Sequence, residues 1–300
     1  MLNVNNKKET EINKCEVIFK ANDLVQKMWH TMGIREQQIF SLLVRQIRPY
    51  DTEFKKQKFT FSEIANELGW SEGGNTRRCL MECLRKLGSI CFWHRTPYDS
   101  NKIMLCRVLE SAALIDLKEN TVEMKLDDTL KPYLIGLQER GNMMITRFEY
   151  IKAANSQFTL RLYEYLRSKA FMRLSWQEKL TLEEIKELLN IKPTQPWGNL
   201  KRDALDKVAE EINKITDMIV KYEPNKVGKS IVSVTFYCRR KRNSQDKEEF
   251  DEQVNKESFE NIYDDEREDL CSDLPDSYYD EYIAFEGFDD DNMEIEEFDD

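Results

Sequence analysis

One order of elements runs twice along this 300-residue chain, and it narrows the possible folds more than any bulk property does. In the first pass, Ile39, Phe40, Leu42, Leu43 and Ile47 recur at helical spacing over residues 36–48. Residues 58–61 then read as a short strand. Ser62 is the expected N-cap of a short helix with Ile64, Ala65 and Leu68 inward and Gly69 near its end. A turn over 71–74 leads into a longer helix over 75–87, where Leu80, Cys83, Leu84 and Leu87 share one stripe and Gly88 stops it. Strand-rich segments follow at 90–94, 103–109 and 121–126. The second pass starts near residue 141. Phe158, Leu162, Tyr163 and Leu166 mark a helix, and residues 179–181 a short strand. A helix opening at Thr181 or Leu182 puts Ile185, Leu188 and Leu189 inward, and Pro193 and Pro196 break it. A longer helix over 198–214 carries Leu200, Ala204, Leu205, Val208 and Ile212. Strands at 218–222 and 231–238 flank a hairpin tip over 223–229.

Helix, short strand, helix, turn, longer helix, hairpin is the order of a winged helix-turn-helix. The expected fold class is therefore α+β, two tandem winged helix-turn-helix domains, with the repetition in architecture and not in residue identity. The boundaries read as an N-terminal arm over 1–19, a first domain over 20–137, a second over 138–242, and a tail over 243–300. The tail is acidic and poor in aliphatic residues, which predicts a largely disordered segment. Its aromatics, Tyr278, Tyr279, Tyr282, Phe285, Phe288 and Phe298, sit among carboxylates and are suited to folding onto a partner.

Charge supports this division. The net charge of -11 averages two unlike regions. Residues 246–300 hold 25 acidic and 3 basic side chains, leaving 42 basic and 31 acidic over 1–245, a net of +11. A basic body with an acidic tail is a charge asymmetry of nucleic-acid binders. No apolar run reaches the roughly 18 residues of a spanning helix, and the polar N-terminus shows no secretory signal. Seven scattered cysteines, an odd number, suit reduced thiols better than a disulfide framework. These features predict a cytoplasmic location and no membrane contact.

In a helix-turn-helix the second helix enters the major groove, and its N-terminal residues meet base edges. In the second domain that helix opens with Asn199, Lys201 and Arg202 outward or at the flank. Asn pairs with adenine and Arg with guanine through two contacts each. Asp203, Asp206 and Glu210 follow on the outer face, which confines contact to the first two turns. Lys226 and Lys229 at the hairpin tip are placed for phosphate or the minor groove. Arg239, Arg240, Lys241 and Arg242 form four cations in a row, expected to grip the backbone. In the first domain, Arg77, Arg78 and Arg85 lie off the apolar stripe, and a DNA contact and a dimer interface are equally open to them.

Other motifs carry less. Gly228-Lys229-Ser230 resembles the end of a phosphate-binding loop, but Glu223 stands where the earlier glycine is required. Cys79, Cys83, Cys91 and His94 suggest zinc, yet no CxxC pair exists and Cys83 lies on a buried stripe, so core thiols are expected. His30 and His94 are the only histidines, in neither an HxH nor an HxxR arrangement. A run such as Asp289-Asp290-Asp291 in a tail cannot preorganise a catalytic metal. No enzyme activity, metal or cofactor is expected.

Four stretches resemble the theta-type plasmid replication initiators, iteron-binding Rep proteins with two winged-helix domains. These are Asn22-Asp23-Leu24-Val25, the segment from Phe158 to Leu166 containing Arg161-Leu162-Tyr163-Glu164, the helix from Leu182 to Leu189, and Leu200-Lys201-Arg202 with Glu211-Ile212-Asn213-Lys214-Ile215-Thr216-Asp217. The resemblance spans about residues 20–240. It implies binding of double-stranded DNA at origin repeats, origin opening, recruitment of a host initiator and replicative helicase, and a homodimer off DNA. Carried over, Lys201 and Arg202 are recognition-helix contacts. Asp203 departs from the family's basic residue there, and the acidic tail is outside its pattern. The alternative is a winged-helix transcriptional repressor or a phage DNA-binding protein without initiator activity. A nuclease or primase is a third reading, marked by metal-dependent loss of substrate.

Overall fold

The computed structural model describes residues 17–27, 32–48, 50–71, 74–96, 99–110, 114–137, 142–170 and 173–241. Expectations for the acidic tail, for Arg242, for His30 and for most of the N-terminal arm lie outside the described residues.

Two apolar cores organise the chain. The first begins with strand β1 (Val17–Ala21) and helices α1 (Asn22–Lys27) and α2 (Ile34–Arg45). It continues through β2 (Gln57–Thr60), α3 (Phe61–Leu68), α4 (Gly74–Ser89), β3 (Cys91–Thr96), β4 (Asp99–Arg107), β5 (Leu114–Asp116) and β6 (Thr121–Met124). Helix α5 (Lys131–Leu134), β7 (Met143–Arg147) and α6 (Phe148–Ala153) close it. Strands β2, β6 and β5 form one antiparallel sheet, and β3 and β4 a separate hairpin. Strand β1 runs antiparallel to β7, from Val17 opposite Arg147 to Ala21 opposite Met143. Residues 17–19, assigned from sequence to the N-terminal arm, are thus part of a sheet.

The second core is built by α7 (Gln157–Ser168), β8 (Ser175–Thr181), α8 (Leu182–Leu188), α9 (Trp197–Leu200), α10 (Asp206–Ile215), β9 (Met218–Val227) and β10 (Ser230–Arg240). Its sheet has the order β8-β10-β9, with β10 in the middle. Both cores therefore have the order of a winged helix-turn-helix, as the sequence pattern requires.

The two units share one local device. At the start of α3 the Thr60 hydroxyl accepts from the Glu63 N–H at 3.1 Å, and the Glu63 carboxylate accepts from the Thr60 N–H at 2.6 Å. At the start of α8, Thr181 and Glu184 make the same reciprocal pair, at 3.2 and 2.7 Å. Each box satisfies two helix N–H groups that have no partner within the helix. The cap of α3 is Thr60 and not Ser62, because the strand ends one residue earlier than the pattern suggests and Ser62 falls in the first turn. Thr-x-x-Glu-Ile at 60–64 and 181–185 is a short identity between the repeats.

Helix α7 belongs to both cores. Leu160 packs in the first, and Leu162, Tyr163 and Leu166 pack in the second. Between them Arg161 is buried and donates to Met32 O at 2.6 Å in the first unit and to Leu189 O at 2.9 Å in the second. Burial alone pushes its guanidinium down to about 10. Glu164 accepts from Lys20 of β1 at 2.7 Å, both side chains being buried, and the Ser41 hydroxyl also takes a Lys20 hydrogen bond. The division between units falls inside α7, later than the expected boundary at 137/138, because β7 and α6 pack against the first core. Among the described residues no helix is long and apolar enough to cross a membrane.

Candidate nucleic-acid interface

The second unit's long helix is one run of three parts. Asn190, at φ +52°, ends α8, with Ile191 N–H donating back to Lys186 O at 2.7 Å, so the helix stops before the prolines expected to break it, and extended Pro196 caps α9. After Leu200 the chain takes a π-helical turn over Lys201–Leu205 and returns to α-geometry in α10. A single π turn inside an α-helix is rare, and such turns concentrate at functional sites. It keeps Leu200, Ala204 and Leu205 buried while Asn199, Lys201, Arg202 and Asp203 stay exposed. The sequence pattern puts these residues on the same sides but gives no sign of the wider turn.

The exposed cations are held in order. Arg202 donates through Nε and a terminal nitrogen to the Asp203 carboxylate at 2.7 and 2.8 Å, and reaches the Asn199 side-chain oxygen at 3.3 Å. Lys201 Nζ bonds both Asp206 oxygens at 3.0 and 3.1 Å, and the Tyr222 hydroxyl of β9 donates to the same carboxylate. The Tyr222 bond, with help from Lys201, holds Asp206 below the usual carboxylate range, and Arg202 does the same for Asp203. In sequence, Asp203 and Asp206 are only groups that repel phosphate. In the folded protein they orient the cations. Replacing Asp203 with Asn releases Arg202 and removes one negative charge. Affinity for duplexes of any sequence is then expected to rise several-fold, with a steeper salt dependence by filter binding. Unchanged binding would mean that Arg202 stays away from DNA.

The wing lies beside this helix through the Tyr222–Asp206 bond. Gly228 has φ +61° at the first central position of the two-residue turn between β9 and β10, the place where a II′ turn takes glycine. Lys226 and Lys229 flank the tip and are exposed. A register shift between Ile231 and Ser233 leaves Val232 unpaired and exposed near the tip.

The basic run at the end of β10 is placed differently from the expectation. Arg239 is only 5% exposed, and its cross-strand neighbours on the same face, Ser175 and Ile219, are buried too, so this end of the sheet is covered on the Arg239 face as well as on the Cys238 face. Arg240 is half-buried. Lys241 Nζ bonds Asn213 O at 2.6 Å and Thr216 O at 2.7 Å, which caps the C-terminus of α10 with a cation. For Arg239 and Lys241 a backbone grip is therefore corrected to a structural role at the base of this helix, while Arg240 stays half-buried at the end of β10.

The same base explains the Glu211–Asp217 motif. Glu211 accepts from the Asn155 backbone N–H at 2.7 Å and from the Thr159 hydroxyl. Asn213 exchanges two hydrogen bonds with Val220, at 2.6 and 3.0 Å. Asp217 accepts from the Tyr163 hydroxyl at 2.9 Å and lies 3.6 Å from Arg167. The Glu211–Asp217 part of the family resemblance thus fixes the long helix onto α7 and β9. In the first unit, Arg78 and Arg85 are exposed on α4, and Arg77 lies over the Phe61 ring at 5.5 Å. Cys83 is buried, and Cys79, Cys83, Cys91, Cys106 and Cys238 are free thiols. Exposed Lys207, just past the π turn, is a further cation on this helix, which the apolar stripe alone does not single out.

Family models match most of this region. "Initiator Replication protein, WH1" covers residues 17–167, and "Initiator Rep protein, WH2" covers 181–238. Among solved structures, a Pi initiator protein in complex with iteron DNA superposes with a TM-score of 0.62 at 17% identity, covering 77% of this chain and all of that one. Domains 2 and 3 of RctB superpose at 0.44 and 14% identity, covering 74% of this chain and 82% of that one, too loosely to bear on the site. No curated protein matches the chain closely enough to count as a relative.

Proposed function

The chain belongs to the initiator replication protein family, whose two winged-helix domains it carries in order, and from that premise we propose that it reads repeated double-stranded sites at a replication origin. The observation that carries this reading is the exposed constellation of Asn199, Lys201 and Arg202 at the start of the recognition helix, with Lys226 and Lys229 on the wing that Tyr222 ties to that helix. Asn199 and Arg202 supply base contacts. Lys201, Lys226 and Lys229 supply phosphate contacts that set position without reading sequence. The first domain, through α4 with Arg78 and Arg85, lies against the adjoining stretch of the same repeat. The structurally similar Pi initiator is described in complex with iteron DNA, which supports this choice of target.

Such a protein acts by binding and not by catalysis. Bound copies on adjacent repeats open the duplex and present a surface to the host initiator and replicative helicase in the cytoplasm. Arg202→Ala tests the reading. Affinity for the cognate repeat is expected to fall about 10- to 100-fold and discrimination to relax at one base pair. Equal affinity and equal discrimination in a competition assay would remove Arg202 from the reading surface.

A further inference from the structure

The outer face of the β3–β4 hairpin is not used by the proposed reading, and its composition is unusual. Register pairs put Cys91 opposite Arg107, Trp93 opposite Leu105 and Arg95 opposite Ile103. Directly opposed residues on an antiparallel pair share a face, and all six are exposed. Trp93 is 67% and Ile103 64% exposed. The other face is anchored: Phe92 and Met104 pack on the first core, His94 stacks on Tyr133 at 4.5 Å, and the Tyr133 hydroxyl bonds Arg95 O. The result is a fixed platform with an apolar centre of Trp93, Leu105 and Ile103, bracketed diagonally by Arg95 and Arg107. A contiguous apolar patch of this kind on a folded surface marks an interaction site.

We propose that this platform docks the acidic, aromatic segment 278–288 of the same chain. The segment places Tyr278, Tyr279, Tyr282, Ile283, Phe285 and Phe288 among Asp280, Glu281 and Glu286, with Asp276 before it and Asp289, Asp290 and Asp291 after it. Its chemistry complements the platform in both respects. Aromatic rings cover Trp93, Leu105 and Ile103, while carboxylates meet the Arg95 and Arg107 guanidinium groups, which also stack on rings. Nucleic acid fits the site less well, because phosphate gains nothing from an apolar centre. The 36 residues between Lys241 and Tyr278 span roughly 30–36 Å as a coil and about 120 Å fully extended, a reach greater than the width of a single domain. Tethering also gives the segment an effective concentration on the order of millimolar, so modest contacts suffice. This inference does not depend on which DNA sequence the second domain reads.

Chymotrypsin tests it in the full chain. Its sites at Tyr278, Tyr279, Tyr282, Phe285 and Phe288 are expected to be cut at least tenfold more slowly than those at Phe250, Phe259 and Tyr263, which serve as reference within the same tail. In the Trp93→Ser, Arg95→Glu double variant, whose altered side chains lie on the surface, the difference is expected to vanish at an unchanged melting temperature. High salt should reduce the protection in the parent protein. Equal rates at the two groups of sites in the parent, or protection unchanged in the variant, would overturn the proposal. Two other outcomes overturn it by giving the face to another occupant. Protection that fades on dilution as the sedimenting mass halves assigns it to a second copy. Unchanged tail cleavage with weakened duplex affinity in the variant assigns it to DNA.

Discussion

Glu164→Ala is expected to destabilise the protein by roughly 3–5 kcal/mol, the largest loss of stability foreseen for a single substitution here. Lys20 and Glu164 are both buried, and their ion pair fastens β1 of the first unit to α7, which the second unit shares. Removing the carboxylate leaves the Lys20 ammonium in an apolar setting, with neutral company such as the Ser41 hydroxyl and the Phe40 ring. An uncompensated buried charge costs more than the pair contributed. Glu164→Gln keeps a hydrogen-bond acceptor and should lose less. Joint replacement by Lys20→Met and Glu164→Leu removes both charges and should recover most of the loss. Urea denaturation of the four proteins checks this order.

The pH dependence adds an independent sign. Burial already lowers the Lys20 pKa, against the raising effects of the Glu164 charge and hydrogen bond. Without Glu164 only the lowering influence of burial remains among these three, so the folded pKa drops further below the unfolded value of about 10.4. Between those two values the unfolded chain binds more protons than the folded one, and stability rises with pH. The deficit of Glu164→Ala should therefore shrink from pH 7 toward pH 10. A constant deficit would show that the loss comes from packing and not from the stranded ammonium.

The second large effect concerns the wing. Replacing both Lys226 and Lys229 with Ala should weaken binding about 50-fold at 0.1 M salt, by nearly the same factor for cognate and unrelated duplexes. The slope of log affinity against log salt should fall by about two, one for each phosphate that is no longer neutralised. Arg202→Ala should behave in the opposite manner, reducing the contrast between sequences more than the salt slope. A wing variant that weakened discrimination instead would move sequence reading from the helix to the hairpin.

The helices and hairpins are legible in the sequence because each carries a local periodic signal. The stripe Leu200, Ala204, Leu205, Val208 and Ile212 is buried as its spacing requires, and the second wing falls where strand runs flank a turn. What local spacing cannot register is pairing between distant segments. Strand β1 meets β7 far along the chain, so from sequence residues 17–19 resemble an arm and the first domain looks shorter than it is. Arg239 is hidden from sequence reasoning for a related reason. A row of four cations resembles a solvated patch until the fold shows both faces of β10 covered at this end, where the neighbours Cys238 and Arg239 are both buried. Lys241 can be assigned to the end of α10 only once the ends of α10 and β10 lie together. The π turn at Lys201–Leu205 leaves no mark on the apolar pattern, since Leu200 and Ala204 keep ordinary helical spacing. The acid partners of Lys201 and Arg202 are visible as charges, but their pairing depends on side-chain geometry and, for Asp206, on a tyrosine from another strand.

The central claim is that the second domain's helix and wing read repeated duplex sites. Footprinting the full chain on the DNA beside its own coding region tests it most directly. Two winged helices on successive major-groove turns cover about 20 base pairs, so the account predicts protection of direct repeats of about that length, abolished over competing DNA by Arg202→Ala. Protection of a lone palindrome at a promoter, or a repeat footprint indifferent to Arg202, would contradict it.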